Sequence, residues 1–88
     1  MKTLQFLIDN ICADFTVESL LGLVTRCLVN GPTTISGIAR AIIEKDHSLD
    51  VRCAEGLAEG AVLSMSERGD VAVRESFVYA IGTTTRPQ

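Results

Sequence analysis

Residues 70–81, DVAVRESFVYAI, are the stretch that decides the fold of this 88-residue chain. Apolar residues alternate with small or polar ones at 71–74 and again at 77–81, and residues 74–76 form a short polar link. A period of two is typical of strands, and two such runs joined by a short link predict a β-hairpin. We expect one face of this hairpin to cover the rest of the domain with four side chains: Val71, Val73, Phe77 and Tyr79.

Four helices are predicted upstream of the hairpin, over about residues 3–13, 16–28, 35–45 and 50–67, because apolar residues recur there three and four positions apart. Thr16 is a suitable N-cap for the second helix, and Asn30-Gly31-Pro32 is a typical helix stop. The expected buried stripes are Leu4, Leu7, Ile8 and Ile11; Val17, Leu20, Leu21, Val24 and Leu28; Ile35, Ile38, Ala39 and Ile42; and Val51, Ala54, Ala58, Ala61, Val62 and Met65.

Two segments resemble the winged helix-turn-helix superfamily. Residues 35–42, ISGIARAI, resemble the second helix of its motif, and residues 62–73, VLSMSERGDVAV, resemble the stretch that closes the recognition helix and opens the wing. The resemblance implies an α+β fold in which a helical core carries a C-terminal β-hairpin wing and an extra N-terminal helix. On this interpretation residues 1–15 form the N-terminal amphipathic helix, residues 16–82 the winged helix-turn-helix domain, and residues 83–88 a flexible tail.

The resemblance also implies a function, that of a small transcriptional regulator that binds double-stranded DNA. In such proteins the recognition helix enters the major groove and its N-terminal residues reach base edges. The exposed positions that match are Ser48 and Arg52, beside Asp50, Glu55 and Glu59. Phosphate contacts are expected from the preceding helix, and Arg74 at the wing is placed to reach a neighbouring groove. The predicted DNA-binding residues are therefore Thr33, Thr34, Ser36, Arg40, Ser48, Arg52 and Arg74.

The charge of the chain favours an alternative. The net charge is −3 and the pI is about 4.9, whereas duplex binding normally relies on a basic face that releases counterions from phosphates. An acidic winged-helix module that binds a protein partner, or a phage-type inhibitor that occupies a partner's nucleic-acid site, is the second hypothesis. Under it Arg40, Arg52 and Arg74 are solvated surface charges, partly paired with acidic neighbours such as Glu44, Glu55 and Glu75.

The apolar stripe of the first helix has two interpretations, a dimer seam or a face that folds back over the domain's own core. The apolar fraction of 47% and the mean hydropathy of +0.29 are high for a small domain. DNA-reading modules commonly pair across a two-fold axis. The sequence therefore favours a homodimer.

The sequence offers no support for catalysis, a metal site or a cofactor. His47 lies in a polar turn without a nucleophile at a fixed spacing, and Glu55 and Glu59 are more typical of a wet helix face than of a metal site. Nucleotide-binding and metalloprotease motifs are absent. We expect a binding domain and not an enzyme.

The expected compartment is the cytoplasm. The three cysteines, Cys12, Cys27 and Cys53, form no CxxC pair and lie within apolar helical patterns, as reduced core thiols do. Residues 4–13 are interrupted by polar side chains and do not resemble a signal peptide. No apolar run approaches the roughly 20 residues that a membrane span requires, so no membrane association is expected.

Overall fold

A computed structural model describes residues 2–11 and 15–81. In this part of the chain it shows a small α+β fold with four helices and a three-stranded antiparallel sheet. The four predicted helices and the C-terminal hairpin are confirmed within the described residues. Residues 12–13 of the first predicted helix, with Cys12, and the predicted tail at residues 83–88 lie outside them. The elements are α1 (Lys2–Ile11), α2 (Val17–Cys27), β1 (Thr33–Thr34), α3 (Ile35–Lys45), α4 (Val51–Glu67), β2 (Val71–Arg74) and β3 (Phe77–Ala80).

Three helices begin at side-chain caps, which satisfy backbone N–H groups that have no partner within the helix. Thr16 Oγ1 accepts a hydrogen bond from the N–H of Ser19 at 3.0 Å, and the Ser19 hydroxyl accepts one from the N–H of Thr16. Thr34 Oγ1 caps α3, and an Asp50 carboxylate oxygen caps α4 at 2.8 Å from its donor nitrogen. These caps fix where each helix starts.

The core is built around α4, which packs against the other three helices and β2. Leu57, Ala58 and Ala61 of α4 are fully buried, and α3 contributes Ile38 and Ile42. The predicted burial of Val51, in the stripe of α4, is wrong. Its side chain is 58% exposed, because Val51 is the first residue of α4 and lies at the rim of the α3–α4 contact.

The N-terminal helix packs on its own domain. Leu4 and Ile8 are buried in the same cluster as the residues of α4, and a Cβ placed on Gly60 would lie 3.0 Å from Leu7 Cδ1. The stripe of α1 therefore covers the domain's own core, which is the second of the two interpretations of its sequence. Leu4 and Ile8, two members of the candidate dimer seam, are already buried within one chain.

The sheet has the strand order β1-β3-β2, and its strands are antiparallel. β1 pairs Thr33 with Val78 and Thr34 with Phe77. The sequence did not predict β1, because two residues are too few to show a period. A short strand between α2 and α3, followed by α4 and a hairpin, is compatible with a winged helix.

The face of the hairpin that covers the core differs from the prediction. Val71 and Val78 are buried, whereas Phe77 and Val73 are each 52% exposed. Val73 pairs with Val78, and the loop has two residues instead of three. Opposite residues of an antiparallel pair share a face, and changing the loop by one residue moves every side chain of the second strand to the other face. Phe77 and Tyr79 therefore share a face with Ala72 and Arg74.

Candidate nucleic-acid interface

Three of the predicted DNA-binding residues have structural surroundings that account for their side chains. Thr34 Oγ1 accepts the N–H of Gly37 at 3.0 Å as the cap of α3, and Thr33 Oγ1 lies against the same glycine. The Ser48 hydroxyl donates to Asp46 Oδ1 at 2.6 Å, in the turn that leads into α4. Thr34 caps α3, and Ser48 stabilises the turn before α4. The Ser48 hydroxyl already donates its proton to Asp46, whereas the Thr34 hydroxyl accepts one hydrogen bond and keeps its own proton for a further partner.

Ser36 and Arg40 lie one turn apart on the exposed face of α3. They line a shallow groove between α3 and α4, to which α4 contributes Val51 and Glu55. The groove thus joins one guanidinium and one hydroxyl to two carboxylates, Glu44 and Glu55, and an exposed apolar side chain. Its chemistry is mixed and not uniformly basic.

Arg52 lies in the first turn of α4, where its side chain is exposed. The adjacent Asp50 carboxylate accepts the N–H of Cys53, and this hydrogen bond, with a smaller contribution from the charge of Arg52, holds the pKa of Asp50 below its ordinary value. Asp50 therefore stays ionised at neutral pH. The start of α4 presents one cation beside one anion.

Arg74 is the last residue of β2, and the register places it opposite Phe77. It lines a second shallow surface with Pro32, Glu75, Phe77 and Tyr79. Sequence reasoning missed the aromatic members of this surface because it assigned Phe77 and Tyr79 to the core. The signal that would have found them is the two-residue length of the Glu75-Ser76 loop.

Ion pairing separates the arginines of the described segments. Arg68 Nη2 lies 3.0 Å from Asp70 Oδ2. Within the described residues, 2–11 and 15–81, Arg40, Arg52 and Arg74 take part in no ion pair. The expected partial pairing with Glu44, Glu55 and Glu75 is therefore not seen there. The three predicted guanidinium groups, on α3, on α4 and at the hairpin, are exposed and unpaired in the described segments, as is that of Arg26 on α2.

The structure adds little on the other classes of site. In the described part of the chain no group of three or more histidine, cysteine or acidic side chains is arranged to hold a metal ion. Cys27 and Cys53 are free and half-buried; burial raises the pKa of the Cys27 thiol, and the hydrogen bond with Asp50 raises that of Cys53. Both are therefore protonated thiols at neutral pH. None of the helices in the described ranges has the length and apolar character of a bilayer span.

Comparisons with known proteins supply no relative from which a site could be transferred. No protein-family model, curated protein sequence or solved structure matches this chain.

Proposed function

We propose that this chain is a winged-helix protein of the transcriptional-regulator type that binds double-stranded DNA and catalyses no reaction. The observation that carries the proposal is a set of three exposed arginines that form no ion pair within residues 2–11 and 15–81: Arg40 on α3, Arg52 at the start of α4 and Arg74 at the hairpin. A guanidinium without a carboxylate partner is available for a phosphate or a base edge. The order of helices and strands supports this assignment, since it is compatible with a winged helix.

The proposed complex places the first turn of α4 in the major groove. Arg52 would then face base edges, where arginine forms two hydrogen bonds with guanine. Ser36 and Arg40 on α3 would contact the phosphates that border the groove, and Arg74 would contact the backbone beyond it. Each arginine thus has a distinct role, in base readout or in positioning.

The surrounding carboxylates set the expected strength of binding. Asp50 and Glu55 lie beside Arg52 and Arg40 and repel phosphates, and the chain as a whole has a net charge of −3. We therefore expect weak binding to arbitrary duplexes and a strong dependence on salt. A duplex that carries the preferred sequence should bind more tightly than an arbitrary duplex, because Arg52 would contact its bases.

The test is fluorescence anisotropy with labelled genomic duplexes at about 50 mM salt, followed by a salt titration. Arg40→Gln and Arg74→Gln should each lower the slope of log K against log salt by about 1, as expected for one lost phosphate contact. Arg52→Gln should weaken binding to the preferred duplex more than binding to others. Arg68→Gln is the matched control, because Arg68 is already paired with Asp70. Absence of binding by the unmodified protein at this salt would exclude the proposal.

A protein partner is the second candidate, and the exposure of Val51 favours it. An apolar side chain that is 58% exposed beside Glu55 is more useful in a protein interface than against phosphates. Affinity capture from lysate distinguishes the two candidates. Recovery of one partner that resists nuclease supports the protein-binding module, whereas nuclease-sensitive recovery supports DNA binding.

The homodimer stays a prediction. Its sequence argument rested partly on the stripe of α1, and Leu4 and Ile8 of that stripe are buried within one chain. Sedimentation equilibrium of the free protein and of its DNA complex measures the stoichiometry directly. A dimer is expected in the complex if the bound site contains two half-sites.

A further inference from the structure

Two aromatic side chains lie next to each other on the outer face of the hairpin. Phe77 and Tyr79 are two positions apart on β3, so they point to the same side of the sheet. The register places Arg74 opposite Phe77, and Pro32 lies at the edge of the same surface. We call the set Pro32, Arg74, Phe77 and Tyr79 the aromatic surface.

The aromatic surface is open and carries an available cation. Phe77 is 52% exposed and Tyr79 is half-buried, while the buried side chains of the hairpin, Val71 and Val78, are on its other face. Arg74 belongs to none of the ion pairs observed among residues 2–11 and 15–81. Glu75 lies at the rim of the aromatic surface, and its carboxylate is also exposed to solvent. The surface therefore combines aromatic faces with a guanidinium beside them.

We propose that the aromatic surface binds an unpaired nucleotide, with the base stacked on Phe77 or Tyr79 and a phosphate paired with Arg74. Stacking on aromatic side chains beside a basic group is how proteins hold single-stranded nucleic acid, because every base has a π face. Bases inside a duplex hide those faces in the stack, so the ligand must be unpaired. The complementarity between Arg74 and phosphate selects a nucleotide over a neutral ring.

This inference rests on the proposed function, because it assumes that the α3–α4 groove holds the adjacent duplex. Together the two surfaces predict a preference for duplexes that end in, or contain, unpaired nucleotides. The unpaired part would lie on the aromatic surface, where its phosphate takes the place of the duplex phosphate at Arg74, and the paired part would lie against Arg40 and Arg52. A proline-rich peptide also packs on exposed aromatic rings, and it is therefore a competing occupant in the test.

Tyrosine fluorescence reports on this surface directly, because Tyr79 is the only tyrosine and the chain has no tryptophan. The probes are a blunt duplex, the same duplex with a short single-stranded thymidine extension, and the extension alone. We expect the extension to raise the affinity for the duplex about tenfold and to quench Tyr79, whereas the blunt duplex leaves the tyrosine emission largely unchanged.

Two variants assign the effect. Phe77→Leu should abolish the gain from the extension and leave the affinity for the blunt duplex unchanged. Val73→Leu is the matched control, since Val73 is equally exposed on the same hairpin but on its other face. It should keep the gain.

The outcomes separate this inference from the proposed function. Binding of the blunt duplex with no gain and no quenching from the extension overturns the inference and leaves the proposed function standing. Quenching by the extension alone, without binding of the blunt duplex, supports the inference and overturns the duplex interface. A change of Tyr79 emission with a proline-rich peptide but not with the thymidine extension overturns the inference.

Discussion

Gly56 and Gly60 lie one turn apart in α4 and have different surroundings. A Cβ on Gly56 would meet no atom within 4 Å, whereas a Cβ on Gly60 would lie 3.0 Å from Leu7 Cδ1 and 3.2 Å from Leu4 Cδ1. Leu4 is fully buried, so it has little room to move. Gly60 therefore allows α1 to approach α4 closely.

The two glycines give a matched prediction on stability. Gly56→Ala should raise the free energy of unfolding by about 0.5–1 kcal/mol, because alanine favours the helix over glycine. Gly60→Ala should be less stable than Gly56→Ala by at least about 1 kcal/mol, because the added methyl overpacks the α1–α4 contact. Urea unfolding of both variants measures the difference. Equal gains would show that α1 does not pack on Gly60.

The cap of α4 predicts a specific pH dependence. The pKa of Asp50 is lowered in the folded state, chiefly by the hydrogen bond from the N–H of Cys53. The ionised cap therefore stabilises the fold above the unfolded pKa of about 3.9, and this contribution is lost as the pH falls through the lower folded-state pKa.

Asp50→Asn isolates this effect, because asparagine caps a helix without titrating. Thermal unfolding between about pH 5 and pH 2, the range in which aspartate titrates, should show a smaller loss of stability for the variant than for the unmodified protein. The other carboxylates are common to both proteins, so the difference belongs to Asp50. Parallel curves would mean that the carboxylate does not cap α4.

The caps show how far a sequence predicts local structure. Thr16 and the start of α4 near Asp50 were predicted, because short polar side chains before an apolar periodic run favour a helix start. Thr33 and Thr34 were predicted as phosphate contacts, and the structure uses Thr34 as a cap. A hydroxyl suits either role, and only the backbone around it distinguishes them.

The turn of the hairpin is the element that decides which face is buried. Glu75 and Ser76 both have positive φ, 53° and 77°, as the type I′ turn requires at its two central positions. Neither residue favours this conformation, which glycine adopts without steric cost. The hairpin therefore retains strain that a substitution can relieve.

Ser76→Gly should stabilise the protein by roughly 1 kcal/mol, since the left-handed conformation costs an L-residue about that much. Ser66→Gly, in the helical backbone of α4, is the opposite control and should destabilise it by about 0.5–1 kcal/mol. Both are measured by chemical denaturation. Destabilisation by Ser76→Gly would indicate a different loop, and with it a different face for Phe77 and Tyr79.

The two strands of the hairpin also show where a prediction from the sequence was wrong. Alternation in residues 71–81 predicted both strands correctly, but the two apolar series, Val71 with Val73 and Phe77 with Tyr79, were assigned to one face. A period of two indicates which side chains of one strand share a face. Which side chains of two paired strands share a face depends on the number of residues in the loop between them. Ser36, Arg40, Arg52 and Arg74 are exposed, as the sequence indicated, whereas the exposure of the aromatic surface could not be predicted.

At the scale of the whole molecule, a net acidic chain presents a few guanidinium groups that the carboxylates of its described residues leave unpaired. This distribution is expected to give selective rather than indiscriminate binding, because the charge surplus of −3 works against non-specific contact with phosphates. The fold places these guanidinium groups on separate elements that pack around one core: α3, the start of α4 and the hairpin. Order and spacing of those elements were predictable from the sequence, but the exposed face of the second hairpin strand was not.

The most direct test of the DNA-binding proposal is to map the backbone amide shifts of isotope-labelled protein during titration with duplex DNA. If the chain binds DNA as proposed, we expect the shifts to concentrate at Ser36, Arg40 and Arg52 and at the end of the hairpin around Arg74. We also expect them to diminish as salt is raised. Shifts confined to a different groove, which Leu28, Val29 and Ile81 line, or no shifts at all at low salt, would contradict DNA binding at this interface.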